Sequence, residues 1–198
     1  MRNDVLESVF LVGMIEEMTL EELWQLFPII LTPFDDRWKF WAEEEIALLK
    51  ALLEPVRPDM EYHHIGSTAI RGIWAKPTVD IIVATHDIAD FYPIKTTLLN
   101  AGYLMMNESE GRMCMVKGYT PDGFAEKVFH IHIRLSGDTD EVYFRDYLNS
   151  HHDVAKEYEA LKLSLWKKFE HNRDRYTSAK TDFVRRYTTI SKSSLTQT

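Results

Sequence analysis

Cysteine is nearly absent. The 198-residue chain holds Cys114 alone, which excludes an intramolecular disulfide and leaves no second thiol for a thiolate metal cluster. That usage fits a reducing compartment, and a cytoplasmic protein is expected. Long apolar stretches are missing too. Runs such as Phe27 to Leu31 are far too short to span a bilayer, and the start does not follow a basic stretch with a long apolar one as a signal peptide does, so no membrane partner is expected. An excess of positive charge is also lacking. The formal net charge is -8, which argues against broad nucleic-acid binding, because neutralising phosphates needs a basic surface. The imbalance is uneven, however: residues 1–61 are acid-rich, whereas residues 151–198 hold more Lys and Arg than Asp and Glu. Such a basic C-terminal third can face a small anionic ligand, or can simply be the solvated side of helices.

What the chain does have is a globular composition, 45% hydrophobic and 12% aromatic, at a length suited to one ordinary domain. Residues 1–17 read as a variable leader, 18–190 as the domain and 191–198 as a fraying tail. Thr19 and Glu22 have the spacing of a capping box, opening a short helix to about Leu26. A second helix is expected from Asp35 or Asp36, with Trp38, Trp41, Ile46, Leu49 and Leu52 on its apolar stripe and Pro55 and Pro58 beyond its end.

The middle of the chain changes period. Tyr62 to Ile65 and Thr78 to Ala84 are β-branched or aromatic runs around a loop with two glycines, which predicts two strands. Asp87 to Asn100 predicts an amphipathic helix with Phe91, Ile94, Leu98 and Leu99 inward, stopped by Gly102. Strands are expected near Tyr103 to Met106, Arg112 to Lys117 and Lys127 to Leu135, the last two joined through Pro121, Asp122 and Gly123. Helices follow over Glu141 to Leu148, Val154 to Phe169 (capped by Asp153) and Thr177 to Tyr187. The class is α+β.

The segment from His64 to Val83 carries the chemistry. Gly66 permits close backbone approach at a strand end, Ser67 offers a hydroxyl, and amide donors of a following helix would face a phosphate. Twelve residues separate Ser67 from Asp80, enough for a short helix and a return strand that sets the carboxylate beside the loop. Each feature alone has an ordinary structural explanation. The longer string HIGSTA, with AKP and VDIIV after it, resembles the GrpB-like family of the nucleotidyltransferase-fold superfamily, as do MTLEELWQLFPI, HIHI, FRDYL, EYEALK and YTSAKTDF.

The resemblance implies a nucleotidyltransferase-like mixed β-sheet flanked by helices, with helical N- and C-terminal segments. Its chemistry would be metal-dependent transfer of a nucleotidyl group from a nucleoside triphosphate to an acceptor that the sequence does not name. Gly66, Ser67 and Thr68 would hold the triphosphate, with Lys76, Lys162 and Lys180 as further phosphate contacts. Asp80 matches the first acid of the superfamily's Asp-x-Asp pair, but Ile82 stands at the second. One acid still permits a single magnesium or manganese ion. His130 and His132 share a strand face and could complete a site with Asp80, a donor set that also suits zinc or iron. They could equally hydrogen-bond core or ligand groups without metal. The alternatives are a catalytically silent module for a nucleotide or phosphometabolite, and a metal-dependent hydrolase using Asp80, His130 and His132. His64 is either an anchor of the turn or a weak candidate base.

Overall fold

A computed structural model describes residues 18–195; the expected leader, 1–17, and the last residues, 196–198, lie outside the described part. Helix α1 spans Leu20–Leu26 with both halves of the Thr19–Glu22 capping box formed. Helix α2 spans Arg37–Leu53 and buries Trp38, Trp41, Ala42, Leu49 and Leu53, whereas Ile46 and Leu52 of the expected stripe are only partly buried. Strand β1 (Glu61–Ile65) leads through a 3-10 turn at Ser67–Ala69 to β2 (Val79–Thr85). Helix α3 (Phe91–Asn100) follows, then β3 (Leu104–Ser109), β4 (Arg112–Thr120) and β5 (Gly123–Leu135).

The strands form one mixed sheet in the order β1-β2-β5-β4-β3. Only β2 and β5 run parallel, with Asp80 opposite His130 and Ile82 opposite His132. The hairpin from β4 to β5 is tighter than expected, because pairing continues to Thr120 and Gly123 and leaves Pro121 and Asp122 as a two-residue loop. Leu99 departs from the expected stripe of α3. It is 40% exposed, whereas Ile94 and Leu98 are fully buried, because the helix meets the sheet on a narrower arc.

The C-terminal part contains α4 (Asp140–Ser150), α5 (His152–Phe169), α6 (Arg173–Ser178) and α7 (Thr181–Leu195). Three expectations are corrected here. Asp153 lies inside the first turn of α5, whose N-cap is His151, so it does not cap. The helix expected over Thr177 to Tyr187 breaks into two at Ala179 and Lys180. Residues 191–195 are helical rather than frayed, with Ser191 buried.

Alternation along the strands divides the sheet. Phe129, Ile131 and Ile133 of β5 join Val79, Ile81 and Val83 of β2 in the main core, against α2 and α3. Residues of the intervening register, Asp80, His130, His132 and Arg134, face the opposite side, where they line a cavity of about 870 Å³. The apolar core therefore fixes the backbone from which these polar groups project.

Candidate functional site

Gly66 brings the first turn against the acid. Its φ of 73° and ψ of -171° lie in a region essentially restricted to glycine. A Cβ there would sit 2.5 Å from Asp80 Oδ2, so the turn and the carboxylate occupy one small volume. The turn itself is braced from behind. His64 Nε2 lies 3.0 Å from Thr68 Oγ1, which donates to the Thr78 carbonyl at 3.1 Å. Since the hydroxyl proton goes to that carbonyl, the imidazole donates to its oxygen. Burial, more than the opposing charges of Asp80 and Arg145, pushes His64 down to about 4 and keeps it neutral. Arg145 of α4 donates to the His64 carbonyl at 2.7 Å. His64 thus anchors the turn. Thr68 does the same: it is 3% exposed and, like Gly66, does not line the cavity. Ser67 does line it.

Asp80 meets both histidines through one oxygen. Its Oδ1 is 3.0 Å from His132 Nε2 and 3.5 Å from His130 Nδ1. Burial opposes its ionisation, yet the His132 hydrogen bond and the charges of His130, His132 and Lys76 prevail and hold the carboxyl at about 2. Burial likewise opposes charge on His132, but Asp80 and Cys114 raise it to about 9. His130 is driven the other way, mainly by burial, to about 3. One ring is therefore cationic at neutral pH and its neighbour neutral.

The neutral ring ends a hydrogen-bonded chain that local sequence does not disclose. Arg173 of α6 donates to Tyr119 Oη at 2.8 Å, and that hydroxyl lies 3.0 Å from His130 Nε2. With the tyrosine donating, the His130 proton sits on Nδ1, toward Asp80. Tyr119 comes from β4 and Arg173 from α6. Neither was singled out from the sequence, although Arg173 shares a short basic segment with Tyr176 and Lys180.

Positive charge gathers around this chain. Lys76, Arg134, Arg173 and Lys180 line the cavity. Burial is the leading reason that Lys76 falls to about 7; Arg173 and Lys180 add to it, against Asp80. Lys180 falls to about 8, again mainly by burial, with Arg173 acting in the same direction and Asp80 against it. Cations held below their ordinary range gain from an added anion. Lys162 is placed elsewhere: fully buried, it donates to the Trp74 carbonyl and does not line the cavity. It secures α5 to the segment before Lys76, which corrects its assignment to phosphate contact.

The donor set can be tested against a metal. Asp80 Oδ1 is occupied by the histidines, whereas Oδ2 faces the Gly66 turn and can serve a hard cation together with ligand oxygens. The expected second-acid position cannot help, because Ile82 is fully buried among Ile65, Ala84 and Val142. A softer ion would find Cys114, His130 and His132, whose ligand atoms lie within 4.8 Å of one another. That set requires His132, cationic at neutral pH, to give up a proton, so the arrangement fits one hard ion on Oδ2 with less rearrangement.

Comparison with known proteins places these features in a family. The model of a family described as GrpB protein matches residues 28–189. A glutamate-rich protein GrpB of Alkalihalophilus pseudofirmus is 33% identical over 162 residues, covering 79% of this chain and 91% of that one. A UPF0157 protein of Pseudomonas aeruginosa is 32% identical over 162 residues, covering 80% of this chain but 65% of the relative. The crystal structure of GrpB from Enterococcus faecalis superposes with a TM-score of 0.70 at 27% identity, over 82% of this chain and 96% of that chain. The Cid1 poly(U) polymerase bound to MgATP aligns with a TM-score of 0.50 at 13% identity, over 75% of this chain and 46% of that one. This second likeness concerns the nucleotidyltransferase fold alone.

Proposed function

Because the chain belongs to the GrpB family, with a nucleotidyltransferase-like fold, we propose that its cavity binds a nucleoside triphosphate and transfers the nucleotidyl group to an acceptor. The phosphates lie on the Gly66–Ser67 turn, opposite Lys76, Arg173 and Lys180. Asp80 Oδ2, with phosphate oxygens, would hold a magnesium or manganese ion, which supplies Lewis-acid neutralisation of phosphate charge. The residues themselves orient the chain of phosphates and balance its charge. An acceptor oxygen or nitrogen bonds to the α-phosphorus, the bond from that phosphorus to its bridging oxygen breaks, and pyrophosphate leaves. The acceptor's proton passes to solvent water, since both ring nitrogens of His130 are engaged by Asp80 and Tyr119, while Lys76 and Arg173 offset the charge gathering on the pyrophosphate.

The observation carrying this reading is the closeness of Asp80 Oδ2 to the Gly66 turn, 2.5 Å from where a Cβ of Gly66 would stand, beside a cavity lined by Lys76, Arg134, Arg173 and Lys180. An anion-binding turn and a metal-competent carboxylate then serve the same phosphates. The test is pyrophosphate release from nucleoside triphosphates across panels of small-molecule and protein acceptors with magnesium or manganese. Release that disappears in Asp80→Asn supports the reading, and no release with any acceptor counts against it.

Buried Ile82 favours a second reading, a module that keeps the nucleotide or phosphometabolite pocket without transfer. A strand offering one acid does not provide the usual two-ion clamp. Calorimetric binding without turnover would select this reading, and measured product would remove it.

A further inference from the structure

The cavity has a second end that phosphate does not explain. Helix α1 has no buried residue, and Leu20 is 59% exposed. Leu20, Leu23 and Trp24 nevertheless line the cavity, as do Leu104, Met106 and Val116, and the cluster against which Leu23 packs includes Leu104 and Val116. The helix is fixed in this position. Its capping box is complete, Phe27 packs 4.7 Å from the Tyr119 ring, and Ile29 N donates to the Glu170 carbonyl at 3.0 Å. An ordinary short helix would press such residues into a core. Leu23 packs so here, whereas Trp24 stays half-buried and lines the same cavity as Lys76, Arg173 and Lys180.

We propose that the α1 wall, with Trp24 at its centre, receives the base of the nucleotide. The proposal rests on the phosphate-binding reading of the cationic end. One ligand must then satisfy cations at one end and an apolar aromatic wall at the other, and a nucleoside triphosphate has that polarity. An indole accepts any base face by stacking. Asn107 of β3 also lines this region, and its amide can both donate to and accept from a base edge. A phosphorylated metabolite without a planar ring would use the cations and leave the wall unfilled.

Calorimetric titration of the full chain with ATP and with inorganic tripolyphosphate separates the two ends. Trp24→Ala is expected to weaken ATP about tenfold, the order of one lost base stack, and to leave tripolyphosphate unchanged. Trp24→Phe should retain most ATP affinity. Unaltered tripolyphosphate binding also reports that the variant is folded. The wall proposal is overturned if Trp24→Ala leaves ATP affinity intact, or weakens both ligands equally. If wild-type protein binds neither ligand, the phosphate reading itself fails and the wall proposal falls with it, an outcome distinct from binding both alike.

Discussion

Replacing Gly66 by alanine tests the closeness on which the site depends. Two costs arise. The backbone conformation, φ 73° and ψ -171°, is foreign to alanine and adds about 1–3 kcal/mol. The new Cβ meets Asp80 Oδ2 at 2.5 Å and Asp80 Cβ at 3.1 Å, and forced overlap of this kind costs about 1–3 kcal/mol unless the carboxylate swings away. A total of about 2–6 kcal/mol is expected, lowering Tm by roughly 4–24 °C for a chain of this size. The origin of the loss is read from a double-mutant cycle by denaturant unfolding. In an Asp80→Ala background the Oδ2 overlap vanishes while the backbone cost remains, so Gly66→Ala should cost at least about 1 kcal/mol less than in the native background. Strict additivity would refute the claimed contact. A fully retained Tm would refute the strain as well.

Further consequences follow from the charges. Lys76 and Lys180, held at about 7 and about 8, are partly neutral at pH 8, and an anion favours their charged forms. Calorimetry in buffers of different ionisation heat should show proton uptake on tripolyphosphate binding at pH 8, with affinity falling as pH rises; no uptake would contradict this. His132, raised from 6.5 to about 9, lends stability that is full below 6.5 and lost as pH rises through 9. Asp80, lowered from 3.8 to about 2, lends stability present above 3.8 and lost as pH falls toward 2, so the pair contributes fully between those two ordinary values. Asp80→Asn should lower the His132 pKa in an NMR titration, and an unmoved value would separate the two residues. Lys180→Met should weaken tripolyphosphate binding severalfold with little change in Tm, whereas Lys162→Met should change stability and leave that affinity unaltered, because Lys162 serves the Trp74 carbonyl.

Local signals made part of this site readable. The capping box of α1, the β-branched and aromatic runs of β1 and β2, and the alternation that sets His130 and His132 on one face all depend on neighbours within a few residues. The Gly66–Asp80 encounter was also legible, because one short turn and a return strand leave little freedom. Tyr119, Arg173 and Trp24 were not. Each reaches the cavity through tertiary packing, from β4, α6 and α1 respectively, and nothing in their immediate sequence specifies it. Lysines were misjudged for a related reason. Lys162 and Lys180 both lie in basic helical segments, yet the break at Ala179 and Lys180 places Lys180 in the cavity wall, while Lys162 points under Trp74. Thr68 likewise spends its hydroxyl proton on Thr78.

The most direct test is a crystal of the protein soaked with a non-hydrolysable nucleoside triphosphate and manganese, located by its anomalous scattering. The predicted result is phosphate density against Ser67 and Lys76, with the manganese peak within coordination distance of Asp80 Oδ2. A nucleotide bound outside this cavity, or a manganese ion on Cys114, His130 and His132 with Asp80 uninvolved, would contradict the account.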